Sequence, residues 1–296
     1  MTYTLGCSFT KWFWHTWSDW LQIYTNNVVV NMGWPGLSNE SIYWQIINIS
    51  STLTAQDTVI IMLTGNNRVS MWYDHEWIEQ KNCRGFFPND AKLLEFGTDA
   101  SRGFYRLHPE YDTSLTHMIV DNFNLIFNIQ NLLDKIGCHY QLIFWQNPWY
   151  DVRPKTQPVW KSIWNNKQKL SRHELNTAES ILKLKPIKKL LHLINWKKFY
   201  LAPVDPTDPN GYTGMWEYKN QKQTTKEYLE FVHEDPHPDA VIQHDFVTEV
   251  ILNTPGIHRD YAKQVALESL KYKINLPRSM LIPEDLTQKL PKLYEK

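Results

Sequence analysis

Two stretches constrain this chain more than any other feature: TVIIML at Thr58–Leu63 and QLIFW at Gln141–Trp145, each apolar with hardly a break over the length of one strand. A strand with one wet face alternates in polarity. One that is apolar at nearly every position is covered on both faces, as in a parallel sheet between two layers of helix. Thr2–Leu5 and Val28–Asn31 (VVVN) read as further, shorter strands. Between these runs lie Ser18–Thr25, Asn39–Leu53 and Thr113–Ile136, with apolar residues at helical spacing. In the last, Leu115, Ile119, Phe123, Ile126, Ile129 and Leu133 share one stripe, and Gly137 is placed to end the helix. The alternation predicts an α/β fold: a three-layer α/β/α sandwich whose parallel, flavodoxin-like sheet has about five strands joined by right-handed crossovers.

After Asn147 the rhythm breaks. Residues 150–225 read as an inserted, Pro-containing elaboration within a domain spanning 1–252, with Phe199–Ala202 as a possible last strand. A helix and a Pro/Lys-rich tail follow at 253–296. Net charge is zero, yet residues 151–200 hold twelve Lys/Arg against three Asp/Glu. Such an excess makes a solvated helical face or a patch for phosphates or anionic polysaccharide. It is the sole feature that speaks for nucleic acid, which is not an expected partner. No stretch reaches the ~18 apolar residues of a membrane span, and no secretory signal is visible, so a cytoplasmic, non-membrane location is the default expectation. Association with a virus particle is the alternative. Cys7, Cys83 and Cys138 are odd in number, match no metal spacing and are expected as reduced thiols.

In an open α/β sheet, ligands bind beyond the carboxyl ends of the strands. The residues that follow the apolar runs are Gly6-Cys7-Ser8, then Asn31 to Gly36, then Thr64-Gly65-Asn66-Asn67-Arg68. Glu234-Asp235-Pro236-His237-Pro238 precedes the last helix of the domain. Together they supply the parts of acyl transfer. Ser8 offers a nucleophilic oxygen, His237 a base, and Asp235 or Glu234 a carboxylate to fix the imidazole tautomer. The backbone N–H groups of Ser8 and Gly36 and the Asn66 amide can face a developing oxyanion.

These four blocks resemble those of the SGNH/GDSL hydrolase superfamily. Gly6-Cys7-Ser8 stands for the family's GDS, Gly36 for its second-block glycine, Gly65-Asn66-Asn67 for its GxND, and His237-Pro238 for its His-Pro pair. The resemblance covers residues 2–75 and 225–252 and implies a serine-nucleophile esterase without metal or organic cofactor. Three positions depart from the pattern. Cys7 and Asn67 stand where the family has aspartates, so the loop carrying Asn66 must be held in another way. The family's acid usually lies three residues before the histidine, at Glu234. Asp235, two before, is preferred here because related acetyltransfer enzymes tolerate that spacing and the family acid is generally aspartate.

Other readings stand beside these. Cys7 could be the nucleophile, but adjacent residues in extended chain point oppositely, which sends Cys7 toward the core. Gly36 could serve only a turn after Pro35, and Asn66-Asn67 only a loop. His233 and His237 are four apart, but Pro236 interrupts the helix that a metal pair at that spacing needs, so no metal is expected. Trp17, Trp20 and Leu21 fit a helix packing on the sheet. Trp12, Phe13 and Trp14 form either a wall for a sugar ring or a self-packed loop, and Trp72, Tyr73 and Trp77 the wall opposite. Arg68 would bind a substrate anion or pin its loop. The expected reaction is hydrolysis of an acyl ester, with O-acetyl on a carbohydrate as the favoured substrate. An acyltransferase with the same site, or a non-catalytic carbohydrate-binding or virion-associated module, are the rivals.

Overall fold

The computed structural model describes residues 1–12, 15–25, 27–34, 37–65, 69–73, 92–96, 115–150, 170–223 and 237–273. Its central sheet is built from β1 (Thr2–Leu5), β2 (Val29–Asn31), β3 (Thr58–Leu63) and β6 (His139–Phe144), in the order β2-β1-β3-β6. Every pairing is parallel, with Tyr3 opposite Val30, Leu5 opposite Ile61 and Leu63 opposite Phe144. From Val59 to Leu63 each residue of β3 is buried, as a strand covered on both faces requires.

The helices are α1 (Trp17–Thr25), α2 (Asn39–Ile49), α3 (Leu115–Ile136), α4 (Arg172–Leu182), α5 (Lys185–Leu193), α6 (Met215–Gln223), α7 (Ala240–Phe246) and α8 (Arg259–Lys273). Going from β1 to β2, and then back past β1 to β3, reverses direction in the sheet. With right-handed crossovers that puts α1 and α2 on opposite faces. The contacts agree: α1 meets α7, while α2 meets α3, against which α4 and α5 lie. The stripe of α3 is buried at Ile119, Phe123, Ile126, Ile129 and Leu133. Ser38 caps α2 by accepting from the Ser41 N–H, and Asp239 caps α7 by accepting from the Ile242 N–H. Among the described residues no helix is long and apolar enough to cross a membrane.

Among the described residues the sheet has four strands rather than about five. Phe199–Ala202 contributes one parallel bridge, Phe199 to Leu142, with the Tyr200 N–H donating to the Leu142 carbonyl. The next residue, Leu201, takes φ +56°, a left-handed conformation that ends extended pairing at once. A separate antiparallel pair, β4 (Val69–Tyr73) with β5 (Lys92–Phe96), was not foreseen. The last helix of the domain changes pitch, continuing from α7 as a π-helical turn over Val247–Ile251. The elaboration after Asn147 shares the core of the sheet: Phe199 stacks on Phe144 at 4.9 Å, and Tyr212 meets Phe144 and Phe123.

Candidate active site

All strands of a parallel sheet end at one edge, and β1 delivers Gly6-Cys7-Ser8 there. Gly6 adopts φ +153°, and its Cβ, if it had one, would strike Thr10 Oγ1 and lie 3.0 Å from the Met62 carbonyl oxygen. Only glycine lets the chain leave β1 so close to β3. The chain then curls, with the N–H groups of Thr10 and Lys11 both donating to the Cys7 carbonyl. Cys7 is fully buried, so its thiol faces the core while Ser8 belongs to the turn.

The turn is held from several sides. Asn31 Nδ2 and Thr16 Oγ1 donate to the Thr10 carbonyl, and the Trp34 N–H donates to the Gly6 carbonyl. Gln243, buried in α7, accepts from the Trp17 N–H at 3.1 Å and donates to the Phe9 carbonyl at 3.3 Å. One side chain thus ties the helix after His237 to the turn that carries Ser8. Sequence reasoning passed over Gln243, because a lone Gln in a helix has the look of a surface residue.

Ser8 Oγ lies 2.7 Å from His237 Nε2, although the residues are 229 positions apart. In the neutral tautomer with the proton on Nδ1, Nε2 accepts from the serine hydroxyl. The imidazole is packed against two aromatic rings. The Trp12 indole stacks on it, with centroids 3.8 Å apart and planes 23° from parallel, and Phe9 tilts against it at 5.2 Å. Phe9 in turn stacks on Trp145 at 5.3 Å, and Trp216 closes the cluster. Trp145 and Trp216, which the motif blocks do not reach, therefore support the floor beneath His237.

Of the other expected site residues, Gly36, Asn66, Arg68, Trp14, Glu234 and Asp235 lie outside the described residues, as do Asn67, Phe13 and Trp77. For Trp72, its place in β4 is described. The segment leading to Asn66 is anchored all the same. Asn39, at the start of α2, accepts from the Thr64 N–H at 2.6 Å and donates to the Thr64 carbonyl at 3.0 Å. Its amide also donates to Asn122 Oδ1 at 2.6 Å. This amide extends the hydrogen bonding of β3 by one rung, to Thr64.

Two carboxyl groups near this edge have altered acidity. Burial pushes Asp239 up to about 6, against the pull of the backbone N–H groups it accepts from and of the Lys219 charge. Burial likewise raises Glu217 to about 7, with the N–H groups of Asn147 and Gly214 acting in the other direction. The bond from the Asn147 N–H ties α6 to the loop after β6, and the bond from the Gly214 N–H closes the first turn of α6 itself. Among the described residues no group of three His, Cys, Asp or Glu could hold a metal ion. No family model matches the chain, and no curated protein matches its sequence.

Proposed function

We propose that this chain is a serine-nucleophile ester hydrolase acting on acyl esters, with O-acetyl groups of a carbohydrate as the favoured substrate. The observation that carries the reading is the 2.7 Å approach of Ser8 Oγ to His237 Nε2 at the carboxyl edge of a parallel sheet. In this reading Ser8 Oγ attacks the ester carbonyl as its proton passes to His237 Nε2. The carbonyl oxygen becomes an oxyanion facing the backbone N–H groups of Ser8 and Gly36 and the side-chain amide of Asn66. The imidazolium then returns the proton to the departing alcohol, leaving an acyl group on Ser8. Water, activated by the same nitrogen, attacks that acyl-enzyme and releases the acid and the free serine. Asp235, or Glu234 in its stead, holds the Nδ1 proton and so keeps Nε2 free to act as base.

A fluorophosphonate probe tests this directly. The wild-type chain should be labelled on Ser8 and should hydrolyse an acetyl ester, and Ser8→Ala should do neither at an unchanged melting temperature. Absence of labelling in the folded wild type would sink the reading. Transfer of acetyl to an added sugar in preference to water would make the chain an acyltransferase with the same site.

A further inference from the structure

We propose that Trp12 is a positioning residue for His237, whose indole face stabilises the imidazolium relative to the neutral ring; the catalytic consequence rests on the esterase reading. At 3.8 Å and 23° the two rings lie face to face, well inside the ~6 Å within which an indole attracts a cation, and Trp is the strongest of the aromatic partners. Dispersion between the rings is nearly the same whether the imidazole is neutral or charged. The attraction of the indole quadrupole for a cation exists only after the proton arrives. It therefore acts on the state His237 occupies while Ser8 is losing its proton, and an interaction stronger there than in the resting state lowers the barrier. Phe9, tilted by 52° at 5.2 Å, does not present its face in this way. The indole face that meets His237 is not available to a sugar, which separates this role from that of a substrate wall.

Among the described residues the ionisable groups on the neighbouring elements are Lys11 and His15 on the Ser8 loop, Glu217, Tyr218, Lys219 and Lys222 on α6, and Asp239, His244 and Asp245 at and within α7. Glu234 and Asp235 precede His237 in the chain. Trp12→Leu leaves all of these in place and keeps an apolar cover on the ring, so it removes the π face with little change in desolvation.

The measurement is an NMR titration of the His237 ring in a Ser8→Ala background, which needs no turnover. Trp12→Leu should lower the His237 pKa by about 0.4–1.5 pH units, the range expected for loss of one such contact, and Trp12→Phe should fall between it and wild type. With Ser8 present, the acidic limb of kcat/KM for an acetyl ester should move down by the same amount, with kcat falling and KM nearly unchanged. A His237 pKa that stays fixed or rises in folded Trp12→Leu overturns the proposal. Should the leucine variant not fold, Trp12→Phe carries the test alone, a smaller downward shift supporting the proposal and none overturning it. If fluorophosphonate does not label the wild type, the esterase reading fails while the titration still decides the role of Trp12.

Discussion

Ser8 is reached through a backbone conformation that Gly6 alone permits, since a methyl group there would meet both Thr10 and the Met62 carbonyl. Gly6→Ala should therefore cost stability of about 1–3 kcal/mol from backbone strain, with further loss from displacement of Thr10, read as a lower urea midpoint. Asp239 makes a different kind of prediction. Its carboxyl ionises near pH 6 in the folded chain and near pH 4 in the unfolded one. Below pH 4 both states hold the proton. Between there and pH 6 the unfolded chain has released it and the native one has not, so stability falls as pH rises through that window. Asp239→Asn keeps a side-chain oxygen for the Ile242 N–H and removes the titration. The decline between pH 4 and pH 6 should become shallower by an amount on the order of 2–3 kcal/mol, measured by urea unfolding at each pH. An unchanged slope would mean that Asp239 ionises as it does in the unfolded chain. At this scale the meeting of Ser8 with His237 was legible, because both residues stand beside the ends of readable elements. Asn39 and Gln243 were not legible, because a polar residue becomes a buried clamp only once its distant partner is known.

Between elements, the joint that matters most for Ser8 is the one between α7 and the turn after β1. Gln243→Leu fills nearly the same space yet leaves the Phe9 carbonyl and the Trp17 N–H without their partner. Each such group costs about 1–3 kcal/mol, so the variant should unfold at distinctly lower urea. On the esterase reading, its remaining folded fraction should also lose turnover through a looser turn. Full turnover per folded molecule would show that α7 positions nothing. The esterase reading makes a prediction of the same kind for Asn66, which follows the Thr64 that Asn39 holds. Asn66→Ala should lower turnover by about 10²–10³-fold with little change in melting temperature, as loss of one oxyanion donor does. The strands and helices around these joints were readable because apolar period follows burial: β3 and the stripe of α3 stand where the pattern put them. The π-helical turn at Val247–Ile251 was not readable, since a hydrogen bond displaced by one residue, such as that from the Leu252 N–H to the Val247 carbonyl, leaves no mark in the side-chain pattern. The fifth strand failed for a related reason. Phe199 is apolar and does pair, but strand length is decided by the backbone at Leu201, and Leu seldom adopts a positive φ.

Across the whole molecule the parallel order β2-β1-β3-β6 is what makes one edge of the sheet the meeting place of segments far apart in sequence. That much followed from the rhythm of strand and helix. The distribution of charge follows from the same layering. On α5, Ile187 and Leu191 are buried, while Lys185, Lys188, Lys189 and His192 are exposed. From Lys183 to Lys198 there is no acid at all. Lys198 lies over the Tyr140 ring near the start of β6, away from the edge that carries Ser8. A chain with a pI near 7.2 should thus bind a cation exchanger at neutral pH and elute with added salt, and it should bind less tightly once Lys185, Lys188 and Lys189 are changed to Gln. Flow-through of the wild type would mean that the surrounding surface cancels the patch. Because the compensating acids lie elsewhere in the sequence, the lysine face of one copy would attract any acidic surface of the next. Contacts of that head-to-tail kind need not close into a ring, so they can add copies without limit. In dilute buffer the solution should therefore turn cloudy as protein concentration rises. It should clear again as salt shortens the Debye length to about 10 Å near 0.1 M, the behaviour of a patchy colloid rather than of an unfolding protein.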